Sequence, residues 1–213
     1  MDIVPFILLT VNSRFVMRWV WGGLVLLIPV LNFLSLGYLT KTSNLLMIGG
    51  IGLPTWDERN EIWRDGAKLL YIFILYEALP SFLFSCGFFL ASFGNFITAF
   101  LGWILKWAAA LAFVGCSFFL PFGFCAFAEN KDVRGAFEFE KIAAAVKEVL
   151  AHYILGFAIT VVCLYVTYKL HRIPFLFGFI LSSILTYYVF LVATYYFTQL
   201  FRKTSVSEAK TGG

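Results

Sequence analysis

Charge is scarce in this chain: Asp, Glu, Lys and Arg make up 13% of 213 residues, against about 25% in soluble domains. A surface built from so few charges excludes an ordinary water-soluble protein. Histidine occurs only at His152 and His171, about 28 Å apart along a helix rising 1.5 Å per residue. The two cannot share a metal ion within one chain. Cys86, Cys116, Cys125 and Cys163 lie in apolar stretches and none is at C-x-x-C spacing, which excludes the common zinc and dithiol motifs and leaves them as packing residues. There is no G-x-S-x-G, no H-E-x-x-H and no phosphate-binding glycine loop, so nucleophile, base and metal ligands are nowhere gathered together. The chain therefore reads as non-catalytic, with no cofactor. Its net charge of +4 is spread in short clusters rather than one basic patch, which argues against nucleic acid as a partner. The first ten residues carry Asp2 and no positive region or A-x-A site, so no cleaved signal peptide is expected.

What the chain has in abundance is apolar surface: 61% of its residues are hydrophobic and 26 are phenylalanine. Uncharged stretches at 19–40, 78–105, 107–128, 149–168 and 173–201 mostly reach the roughly 20 residues that cross hydrocarbon as a helix. Barrel strands would alternate over about ten residues instead. The expected fold is all-α: a polytopic membrane protein with four full transmembrane helices, a Pro-broken N-terminal span and two interfacial amphipathic helices. One membrane domain covers 1–202. It comprises the broken span 14–47, an interfacial helix 55–67, a hairpin 68–128, a second interfacial helix 135–148 and a second hairpin 149–201. Residues 203–213 read as a disordered cytoplasmic tail.

The segment 14–47 has two readings. Pro29 and Asn32 stand in its middle, where proline removes a hydrogen bond and asparagine needs a partner. It crosses once with a kink, or it re-enters and returns. A single crossing leaves Arg14, Arg18, Lys169 and Arg172 facing eleven Lys and Arg; a re-entrant path leaves Lys169 and Arg172 facing thirteen. The second distribution follows the positive-inside tendency better. Both put the C-terminus in the cytoplasm.

The first hairpin turns through Phe93-Gly94-Asn95, and Ala78, Ser81, Ser85 and Ser92 recur near one face of its first helix, as close packing in lipid requires. Ahead of it, Thr55 and Glu58 stand at capping-box spacing, predicting a helix from about Trp56. Trp56 and Trp63 then share one side, and Glu61 with Asp65 reads as a solvated face. Before the second hairpin, Phe139, Ile142, Ala143, Val146 and Leu150 form an apolar stripe, with Glu138, Lys141, Ala145 and Glu148 opposite. Trp56, Trp63, Phe139, Ile142 and Val146 are thus candidate interfacial docking residues. An amphipathic segment followed by a hairpin occurs twice, which suggests an internal duplication.

Glu77 and Lys106 are the charged residues well inside the first hairpin, and charges at that depth are functional candidates. Counted from the turn they are offset by five residues, about 7.5 Å along the axis. They form a fixing ion pair, or Lys106 snorkels, or Glu77 serves a proton or cation relay beside the helix break at Pro80. Tyr187, Tyr188, Tyr195 and Tyr196 cluster in the last span, as packing or interface anchors do.

Gly22-Gly23-Leu24 through Ile28-Pro29-Val30-Leu31-Asn32-Phe33, then Leu36-Gly37-Tyr38-Leu39, Leu53-Pro54-Thr55-Trp56-Asp57 and Asp65-Gly66-Ala67-Lys68 follow one another in that order. So composed, the chain resembles the prokaryotic integral-membrane family known as domain of unknown function 4013. Ala136-Phe137-Glu138-Phe139 fits as well. The resemblance covers about residues 14–200 and implies a fold in a prokaryotic cytoplasmic membrane, with no activity attached. The expected role is an accessory, assembly or scaffold subunit, whose partners are the lipid bilayer and other membrane subunits or a second copy. The rivals are a small-solute or ion carrier with Glu77 in its path, and a lipid or membrane-surface module.

Overall fold

A backbone that must satisfy its own hydrogen bonds in hydrocarbon has few options, and the described residues use the helical one. The computed structural model describes residues 3–170, 172 and 176–206. They form α1 (Val4–Thr10), α2 (Ser13–Leu26), α3 (Asn32–Met47), α4 (Arg59–Ala91), α5 (Phe96–Asn130), a 3-10 turn (Val133–Phe137), α6 (Phe139–Glu148), α7 (Leu150–Leu170) and α8 (Leu176–Phe201). Four of these, α4, α5, α7 and α8, are long and apolar enough to cross a membrane. This is a multi-pass membrane protein of all-α fold. His171 and Pro174, expected in and beside the turn of the second hairpin, and tail residues 207–213 lie outside the described residues.

Within the stretch read as one membrane domain, the chain divides into two compact units, 1–70 with 122–213, and 71–121. In the second unit the facing parts of α4 and α5 touch backbone to backbone. A Cβ added to Gly87 would stand 2.8 Å from the Gly102 carbonyl oxygen, and one on Gly102 2.5 Å from that of Gly87. Gly94 turns the chain at φ +74°, a conformation glycine adopts without strain, and Asn95 Oδ1 accepts from Thr98 N at 2.9 Å to start α5.

In the first unit α8 packs against α2, α3 and α7. Its tyrosines are docking posts. Tyr187 lies over Gly22, Tyr188 hydrogen-bonds Thr10 at 3.0 Å, Tyr195 stacks on Phe6 at 4.0 Å, and Tyr196 donates to the His152 carbonyl at 2.7 Å. The apolar run that held Pro29 and Asn32 divides there into α2 and α3. With its amide nitrogen turned toward α2, Asn32 donates to the Leu26 carbonyl at 2.6 Å, at the end of α2, and to that of Ile28 at 3.2 Å, as a capping side chain does. The helices then run back along each other: Ser35 Oγ donates to the Gly22 carbonyl at 2.8 Å, and Arg18 reaches the Leu53 carbonyl just past the end of α3. Both outer ends of the segment therefore meet.

Four expectations change in detail. The helix foreseen from Trp56 begins at Arg59, because Trp56 leaves the helical path to stack on Tyr38 at 4.2 Å and donate its indole N–H to the Arg18 carbonyl at 3.0 Å. Glu58 turns the chain at φ +63°, and the segment 55–67 continues without a break into the span as α4. The segment 135–148 opens as a 3-10 turn capped by Asp132, whose Oδ1 accepts from Arg134 N at 3.0 Å, and only then becomes α6. Ala145, placed on the polar face from sequence, is buried with Ile142 and Val146, three and four residues along from Ile142 on one helical face. At the C-terminal end, Ser205 hydrogen-bonds Glu148 through its hydroxyl and, at 2.9 Å, its backbone N–H, so the foreseen tail is tied to α6 at that point.

Candidate functional site

The two charged residues of the first hairpin are held on facing helices but do not meet. Ser117 Oγ donates to Glu77 Oε1 at 3.4 Å. Lys106 instead places its ammonium over the Phe88 ring, 5.7 Å from the centroid. No ion pair joins Glu77 and Lys106 among the described residues. The five-residue offset that would let long side chains bridge is resolved by each turning to a nearer neighbour. Pro80 lies inside α4, which continues through it; it is buried, and the helix break expected there is not formed. The break at Pro29 and Asn32 is.

The interfacial docking residues separate into two kinds. Ile142 is 1% exposed and Val146 is buried beside it, so the middle of the apolar stripe of α6 is covered by the protein itself. Trp56 is occupied by Tyr38, and Trp63 packs on Phe33 at 4.9 Å while remaining partly exposed. Phe139 is 49% exposed.

The polar centre that sequence reasoning missed lies where α4 begins and α5 ends. Asp65 is 2% exposed, not on a solvated face. Its Oδ2 is 3.1 Å from Lys131 Nζ, Glu61 pairs with the same ammonium, and Lys68 donates to the Lys131 carbonyl at 3.0 Å. Among the described residues Asp65 Oδ1 has no hydrogen-bond partner. Lys131 sits at φ +55°, turned back from the end of α5 to reach the pair. Burial pulls its ammonium down, but the hydrogen bonds it donates to Glu61 and Asp65, with the charges of those carboxylates, outweigh this and hold its pKa above the ordinary lysine value. The sequence signal was Asp65-Gly66. Gly66 crosses Gly37 of α3 so closely that a Cβ on either would overlap a backbone carbonyl, and that crossing carries Asp65 inside.

A cleft of about 520 Å³ opens among the end of α5, the 3-10 turn, α6 and the end of α8, walled by Glu129, Asp132, Glu138, Lys141 and Ser205 among others. Glu77 is not on its wall. Beside it, the two hydrogen bonds from Ser205 hold the Glu148 carboxyl below the ordinary glutamate value.

One further feature departs from expectation. Ala78, Ser81 and Ser85 of α4 and Ser92 just past its end are all exposed, while α5 is met at Gly87. The small-residue stripe foreseen as internal packing faces outward.

With that geometry in hand, comparison with known proteins places the chain in a family. It belongs to the family described as "Protein of unknown function (DUF4013)", whose match spans residues 21–175. No curated protein and no solved structure matches the chain.

Proposed function

We propose that this protein is a non-catalytic accessory, assembly or scaffold subunit of a larger complex in a prokaryotic cytoplasmic membrane. Its C-terminus lies in the cytoplasm, and residues 14–47 dip into the bilayer and return. The observation that carries this reading is the outward face of α4. Ala78, Ser81 and Ser85 repeat at helical spacing and are exposed, and Ser85 Oγ already bonds the Ser81 carbonyl at 2.8 Å, so the face is smooth and internally satisfied. Lipid gains nothing from small residues, whereas a second helix gains close backbone approach. Ile142 and Val146 of the α6 stripe are buried within the protein, which weakens the surface-module reading. The carrier reading rests on Glu77 and Ser117 meeting inside the first hairpin.

Gentle solubilisation of the native membrane, followed by native mass spectrometry, separates these readings. The expected particle contains stoichiometric foreign subunits, and Ser81→Leu with Ser85→Leu strips them while the chain itself stays folded. A homo-oligomer alone would overturn the accessory role, and loss of flux in Glu77→Gln proteoliposomes would then establish the carrier.

A further inference from the structure

We propose that Trp103, Lys106 and Trp107 of α5 bind the phosphate of a phospholipid headgroup, in the leaflet nearest the Gly94 turn. Lys106 is an ammonium on an apolar hairpin, where a bare charge is costly, and among the described residues no carboxylate pairs with it. Its neighbour is the Phe88 ring. Trp103 and Trp107 flank it at i−3 and i+1, so all three lie on one side of the helix. Both indoles are 57% exposed; they meet edge to face at 6.1 Å, and their N–H groups find no acceptor among the described residues. One half-exposed ammonium and two exposed indoles thus share one side of the helix, a donor set that an anion would satisfy.

Depth identifies the anion. Between Lys106 and the next charge in the sequence, Glu129, lies an uncharged run of 22 residues, about the length that crosses a hydrocarbon core as a helix. Lys106 therefore marks one polar end of a stretch long enough to span. Helical side chains lean toward the N-terminus, which on α5 is the turn, so Lys106 reaches outward to the headgroups as long cationic side chains do. Phe96 and Phe100 continue the aromatic band past it. The rim is apolar, with Ile104 and Leu111 exposed. Such a rim accommodates acyl chains below the phosphate and excludes a free, fully hydrated phosphate ion.

The test titrates the purified full chain with phosphatidylglycerol, with a diacylglycerol bearing the same tails, and with inorganic phosphate, and reads retained lipid by native mass spectrometry. Wild type is expected to hold phosphatidylglycerol in preference to diacylglycerol. Lys106→Met is expected to weaken that retention about tenfold, as loss of one charge-assisted contact does, while its melting temperature stays equal or rises. Lys106→Arg restores binding. Equal retention by Lys106→Met and wild type, equal retention of diacylglycerol, or displacement of the lipid by inorganic phosphate would each overturn the proposal. Should Lys106→Met not fold, Trp103→Phe with Trp107→Phe is titrated instead: weakened retention supports the site, and unchanged retention sinks it.

Discussion

At the scale of single residues, the buried ion pair is the most consequential arrangement. Asp65 and Lys131 are 66 positions apart in sequence, and beyond the Gly66 that follows Asp65 neither carries a local signal of burial. A carboxylate four residues from another on a polar turn looks solvated, and only the α3 crossing takes it inside. Removing one partner of such a pair leaves an uncompensated charge, so Lys131→Met is expected to destabilise by about 3 kcal/mol. The pH dependence has a definite sign. A lysine whose folded pKa is raised contributes stability that is complete below the unfolded value of 10.5, and loses it as pH climbs through the higher folded value. Thermal melts of the detergent-solubilised protein should fall along that alkaline limb in wild type. A wild-type curve that parallels Lys131→Met there would count against the pair.

Among the elements, helix identity was legible and helix contact was not. The runs that predicted spans at 68–128 and 149–201 became α4, α5, α7 and α8, with α4 starting nine residues early at Arg59, because continuous apolarity leaves a backbone in lipid no alternative to helix. Amphipathic periodicity was a weaker guide, since it states that a face must be covered and not by what: Ala145, assigned to the polar face, is buried with Ile142 and Val146, whereas Phe139 and Leu150 of the apolar stripe are exposed. The α4 stripe of Ala78, Ser81 and Ser85 is likewise left outside. The glycines separate the same way. Gly37 and Gly115 are indistinguishable in sequence, yet a Cβ on Gly37 would strike the Ile62 backbone, and one on Gly115 would meet nothing within 4 Å. Gly37→Ala should therefore cost about 2 kcal/mol, since backbone cannot yield as a side-chain tip can. Gly115→Ala should be neutral or slightly stabilising, through helix propensity. Paired melting curves decide this, and equal losses for both would refute the crossing.

For the whole molecule, the open topological question is the path of residues 14–47. Charge counting favours a return, and Arg18 meeting the Leu53 carbonyl brings the outer ends of the broken segment together. Single cysteines at Ser13, Asn95 and Lys203, all exposed positions, should label with an impermeant maleimide in the pattern of Ser13 with Lys203 and against Asn95. Labelling of Ser13 with Asn95 would mean a single crossing. What the amino-acid sequence determined alone is the solvent and the secondary structure: membrane residence, helices, the Gly94 turn and the break at Pro29 and Asn32. Each follows from hydrophobicity or backbone geometry, which act over a few neighbouring residues. The tertiary structure decided that Asp65 joins Lys131, that Glu77 and Lys106 part, that Ile142 and Val146 are core, and which small-residue face stays open. Those outcomes depend on which helix lies beside which. Between distant segments, many pairings satisfy the same apolar pattern, and only the packed chain selects one.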